Sequence, residues 1–259
     1  TADAMDFGSP AGAVLLANST SGVVTLRPYT SGLAVTLGDT SATGLGITGS
    51  GAGLASAGWL VIGDTATPSV NLGGNFNAGS TTLELHATGD ITTSVGAKLS
   101  ATRLAAYAGG GITLDGDNAL GGIAAGATDT RGVVAGGDIA ITSTAASFAI
   151  GASVTGSNVT LLADDVAITA RVSAPGGHLT LAPYSGGVAI TLGADGAGTL
   201  ALNGSEIALL GDSAAPTATF TLGSATAGAI TQKGNADFRD SSTFNNDRVS
   251  ALELLSGGA

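Results

Sequence analysis

The phrase TLRPYTSGLAVTLG at Thr25–Gly38 returns as TLAPYSGGVAITLG at Thr180–Gly193, about 155 residues later. An internal repeat on this scale constrains the architecture more than any single residue, because repeats that stack share one continuous core. Each copy reads as two short extended runs around a corner. Val23–Leu26 and Leu33–Leu37 flank Pro28-Tyr29-Thr30-Ser31-Gly32; Leu179–Leu181 and Val188–Leu192 flank Pro183-Tyr184-Ser185-Gly186-Gly187. Alternating Val, Leu, Ile and Thr suits a half-buried strand, while Pro and Gly mark the turn. The echo continues at Val61–Pro68 and Leu209–Pro216, each followed by a Leu-Gly pair.

A single compact core of 259 residues is near the practical limit, whereas a solenoid has no such ceiling. The chain carries 43 Gly, only 10% charged and 4% aromatic residues, and 44% hydrophobics. Small aliphatics suit a narrow interior filled by stacked side chains. The net charge of −11 argues against nucleic acid and against anionic lipid, both of which need a basic face. It fits a soluble extracellular surface. There is no Cys, as suits export through membranes in an unfolded state. No stretch approaches a membrane-spanning helix. Thr1-Ala2-Asp3 does not open a signal peptide, so the expectation is a processed chain, an excerpt or a cytoplasmic product.

Between Gly89 and Thr169 a Gly or Asp, continued by an Asn, is followed by Ile or Val and then by Thr at once or after Ala-Ile. Gly89-Asp90-Ile91-Thr92, Gly111-Ile112-Thr113, Gly137-Asp138-Ile139 and Asn158-Val159-Thr160 are instances. Starts roughly 20 to 30 residues apart match one coil of a solenoid. At roughly 20 residues per coil the chain makes about a dozen coils, a rod about 60 Å long. The predicted fold is all-β, a right-handed parallel β-helix; sandwich modules would need longer hairpins. Residues 1–235 read as the shaft, with the large repeat at about 23–73 and 178–223. Residues 236–259 read as a C-terminal cap or a continuation. There Asn246 or Asp247 can cap a helix over Arg248–Leu255, against one more strand. Gly12–Ala17 is a first strand candidate, and Leu99–Tyr107 fits a strand pair or a short helix.

The phrases Gly109–Ile123, Gly156–Thr169, Ala174–Gly193 and Ser56–Gly63 together resemble the repeat regions of filamentous haemagglutinin-like proteins. These are large bacterial exoproteins, many exported by two-partner secretion. The resemblance covers about Val23 to Thr231. It implies a right-handed β-helical shaft, an extracellular or cell-surface location, and roles in adhesion, biofilm or contact-dependent competition. The chain lacks the Asn-Pro-Asn-Gly phrase of the family's secretion domain and a toxin-like C-terminal domain.

β-Helical lyases and hydrolases need clustered carboxylates, often with Ca²⁺. The candidates are Asp115 and Asp117, Asp138, and the pair Asp164-Asp165; Asx turns at corners are the favoured reading. Glu84 shares a strand face with His86, but two ligands do not make a metal site, and His86 and His178 read as surface or corner residues. Arg103, Arg131 and Arg171 could line a groove for an acidic glycan and read more simply as solvated corners. Gly109-Gly110-Gly111 lacks the Lys and helix of a phosphate loop. Tyr29, Tyr184 and Trp59 could stack on sugars; the repeat positions of the two tyrosines favour a corner role. An ice-binding plane would need Thr-x-Thr ladders, which Thr92-Thr93 and Thr142 do not make.

The expectation is therefore a structural segment of a secreted fibrous adhesin or extracellular filament, with no enzyme activity. No catalytic, cofactor-binding or metal residues are assigned, and no cofactor. Partners are further copies stacked end to end, or a glycan or protein on a cell surface, with no nucleic acid and no membrane insertion. The alternative is a carbohydrate-active enzyme or glycan-binding module on the same fold.

Overall fold

The computed structural model describes residues 5–6, 19–39, 44–48, 57–196, 198–239 and 247–257. The chain is a parallel β-helix. Every pairing between named strands is parallel, and strands recur on the same face after each coil. One face is an eleven-stranded sheet, another a ten-stranded sheet made of a seven-strand path with a three-strand branch, and two three-stranded sheets complete the section. Eleven strands stack to about 48 Å at about 4.8 Å each. This is shorter than the sequence suggests, because two coils spend residues on an extra strand.

Inward side chains form continuous columns. On the long sheet Val35, Val70, Ile91, Ile112, Ile139, Val159, Leu179 and Phe220 pair in register, one above the next. All are buried. This explains the β-branched signal after each turn: alternation puts every second residue into the core, and parallel stacking repeats the choice at each level. The alternate positions face out. Thr36, Asn71, Thr92, Thr113, Ala140, Thr160, Thr180 and Thr221 make one outward column of half-exposed residues. Asn71 and Ala140 interrupt its threonines.

The polar residue at the corner before each strand has a specific task. Asp90 Oδ1 accepts the Gly111 N–H of the next coil at 2.7 Å. Asp138 Oδ1 likewise accepts from Asn158 N–H at 3.1 Å, and Asn158 Oδ1 from His178 N–H at 2.9 Å. Each carboxylate or amide satisfies a backbone donor that the turn leaves unpaired. The candidate carboxylate Asp138 is thus a structural acceptor, and Asp164 behaves the same way toward Ser185 N–H at 2.7 Å.

Both copies of the long repeat make the same local device. After Val35–Leu37 the chain doubles back and lays Leu45–Thr48 on the preceding side of it. After Ile190–Leu192 it doubles back and lays Leu200–Leu202 on the preceding side. Gly38 N–H donates to Ile47 O at 2.9 Å, and Gly193 N–H to Leu202 O at 2.7 Å. Both glycines have positive φ, 75° and 80°. A Cβ on Gly38 would lie 2.4 Å from Gly74 O, and one on Gly193 2.2 Å from the Gly234 carbonyl carbon. The copies nevertheless occupy different phases of the coil. Ser19–Leu26 lies on the ten-stranded sheet and leads to the long sheet, whereas His178–Ala182 lies on the long sheet and leads to a short one.

Three local assignments resolve or differ. Leu99–Ala101 and Arg103–Ala108 are two consecutive strands, on different sheets, and not a helix. Gly204–Ile207 is a helical turn that the strand pattern does not suggest, capped by Asn203 with Glu206 in a capping box. Val249–Leu255 is a strand, paired with Thr217–Gly223, and so continues the long sheet; the helical alternative does not occur. Gly12–Ala17 lies outside the described residues, as does Asn246.

Candidate binding groove

The outer face of the ten-stranded sheet carries a dense polar cluster. Ala57–Gly63, Thr82–Ala87 and Arg103–Ala108 lie side by side there. Val61, Glu84 and Ala105 form one row across them, and Gly63, His86 and Tyr107 the next. The connection after Gly122–Ile123 folds over this face. Glu84 accepts Ala127 N–H at 2.5 Å and the Thr128 hydroxyl, and its carboxylate is fully buried. Gly126 is required by this approach: a Cβ there would lie 2.6 Å from the Glu84 carboxyl carbon. Tyr107 Oη shares its proton between the Asp129 and Arg131 carbonyls, at 2.9 and 2.5 Å. Trp59 Nε1–H reaches Ala125 O at 3.5 Å.

His86 Nε2 lies 2.7 Å from Glu84 Oε1 and 3.1 Å from Thr128 Oγ1. Because one nitrogen meets both, Nε2–H donates to the carboxylate, and the hydroxyl donates there too. A nucleophile relay would put hydroxyl and carboxylate on opposite ring nitrogens. This trio is therefore a clasp on the overlying connection. Burial works to raise the Glu84 pKa, but the bonds from His86, Thr128 and Ala127 outweigh it and hold the carboxyl below its usual range. Burial raises the Tyr107 phenol, and the Asp129 and Glu84 charges add to this.

Beside the clasp runs a groove. Three depressions of about 390, 210 and 360 Å³ meet at Asp64, each within or near the size of small-molecule sites. Tyr29 stands at one end, 76% exposed, and Arg131 at the other. Arg27 pairs with Asp64 at 3.2 Å, and Arg131 grips Asp129 with Nε at 3.0 Å from both oxygens. Asp64 also accepts Ala66 N–H at 2.9 Å and the Thr67 hydroxyl at 3.1 Å. Partial burial opposes ionisation, but these bonds lower its pKa overall. Asp129 is lowered by Arg131.

The structure thus brings Tyr29, Trp59, Glu84, His86 and Arg131 to one side of the shaft. It leaves the other candidates apart. Asp117 pairs with Lys98 at 3.0 Å and accepts Tyr184 Oη at 2.8 Å, so Tyr184 is spent at another corner. Arg171 pairs with Asp212 at 3.1 Å. His178 and Arg103 are exposed, as expected of solvated residues; His86 is largely covered. Sequence reasoning missed Asp64, Thr128 and Asp129, whose meeting depends on coil register. The local signal was Asp-x-Ala-Thr and Asp-x-Arg, both turn phrases.

Among the described residues no three His, Cys, Asp or Glu side chains could hold one metal ion, and no helix is long and apolar enough to cross a membrane. Compared with known proteins, the chain matches no family model, no curated relative and no solved structure.

Proposed function

We propose that the chain is a shaft segment of a secreted fibrous protein, at a bacterial surface or in an extracellular matrix. It serves attachment through length and rigidity, and performs no bond chemistry. One observation carries the reading. The Val35–Phe220 core column runs without a break along the long sheet and, with the neighbouring column at Leu222, emerges at its C-terminal strand. Leu252 and Leu254 continue the Phe220 and Leu222 columns, yet are 44% and 47% exposed. A solenoid end that stands alone is covered by polar or capping residues. The reading takes this face as a joint on which another coil stacks, including one from a second copy. The resemblance to haemagglutinin-like repeats and the acidic, cysteine-free composition support the location.

Negative-stain microscopy with size-exclusion across concentrations tests this. Particles should lengthen in steps of about 48 Å as concentration rises, and remain single when Leu252 and Leu254 are both replaced by Asp. Single particles at every concentration, with no attachment of the protein to cells or matrix, would overturn the reading.

A further inference from the structure

We infer that the groove from Tyr29 to Arg131 is a binding site for a neutral oligosaccharide. The inference is independent of the shaft reading, because it concerns the flank and not the ends.

The groove crosses five successive strands, about 19 Å at about 4.8 Å each, which suits a short chain of sugar rings better than one. Its chemistry is that of a surface for vicinal hydroxyls. Asp64, which lines all three depressions, is an acceptor held ionised and fixed in orientation by its own donors, and Asp129 beside the groove fixes Arg131 at its end. Arg27 spends one nitrogen on Asp64, out of a guanidinium's five N–H donors. Such carboxylate–guanidinium pairs present an acceptor beside a donor, which is what two neighbouring hydroxyls require. Tyr29 adds an exposed ring against which the apolar face of a sugar can lie.

Charge decides between neutral and anionic sugars. Each guanidinium at the groove is already neutralised by its own carboxylate. The whole chain carries −11, so a uronate or sulfated chain would be repelled at long range and would gain no unpaired cation at contact. The two repeated tyrosines provide an internal comparison. Tyr184 donates to Asp117 on a different edge and touches none of the groove depressions, although it occupies the same place in the repeat.

Isothermal titration of the intact chain tests the site. The probes are cellohexaose, laminarihexaose, xylohexaose and mannohexaose, against a galacturonate hexamer and a heparin hexasaccharide. At least one neutral probe should bind, and Tyr29→Ala should weaken it roughly ten-fold. Asp64→Asn should weaken it comparably, while Tyr184→Ala leaves it unchanged. Thermal melts of each variant separate lost binding from lost folding. Binding of none of the neutral probes, preference for the acidic ones, or indifference to both Tyr29→Ala and Asp64→Asn would overturn the inference. Filament formation is not read in this experiment, so its failure leaves the shaft reading standing.

Discussion

Leu254 pairs in register with Leu222 in the same inward column, yet Leu222 is fully buried and Leu254 is 47% exposed. The difference is the absence, among the described residues, of a coil above Leu254. Truncating Leu222 to Ala opens a cavity and should cost about 3 kcal/mol, whereas Leu254→Ala should cost under about 1 kcal/mol at low concentration. Urea unfolding of dilute protein measures both. Equal losses would mean that Leu254 is covered in solution.

The clasp at Glu84 predicts an acid-sensitive flank. A carboxyl whose pKa is lowered on folding contributes stability above its unfolded value, near 4.5, and loses it as pH falls through the folded value. The connection over residues 124–131 should therefore be protected from amide exchange at neutral pH and open below about pH 4. Glu84→Gln should flatten that dependence. Glu84→Ala leaves the Ala127 N–H and Thr128 hydroxyl without their acceptor and should cost about 3 kcal/mol in a neutral-pH melt.

The glycines of the doubled-back strands should be far less replaceable than other left-handed glycines. Gly38→Ala and Gly193→Ala meet backbone at 2.4 and 2.2 Å, so the chain must move. Each should lose at least about 3 kcal/mol, and Gly32→Ala, with φ 81° but open space around it, about 1 kcal/mol. Thermal denaturation of the three variants checks the order.

Asn118 is the buried polar member of the LDGDNA phrase. Its Oδ1 accepts Leu99 N–H at 2.8 Å, and its Nδ2 donates to Leu114 O at 2.8 Å. Replacing it by Leu strands both backbone groups and should cost about 3 kcal/mol, while Asp115→Ala, at the exposed start of the phrase, should be close to neutral. Chemical denaturation of each variant checks the contrast.

Much of the fold was legible because parallel stacking makes local and global demands coincide. At Asp138-Ile139 and Asn158-Val159 the turn residue, the inward β-branched residue and the next coil's partner are all set by one repeated phrase. Legibility failed where register between coils decides. Val249, Leu252 and Leu255 are spaced for a helix face, but pairing with Phe220 and Leu222 puts Leu252 and Leu254 on one strand face. The Asn203–Glu206 capping box was a readable signal that strand alternation around it obscured. The groove was least legible, since Asp64 meets Arg27 only by stacking and Thr128 meets Glu84 only by folding back.

The coils' hydrogen bonds run along the shaft, so tension applied to its ends would load them in series, each level bearing the whole force. The stack is then as strong as its thinnest rung. Above Arg103–Ala108 the ten-stranded face divides: Leu104 pairs with Ile123, and Ala106–Ala108 pair with Val133–Ala135. Load crossing that level is therefore split between two separate strands, which only the connection clasped by Glu84 joins, while the three pairs from Ile112 to Leu114 carry the opposite face.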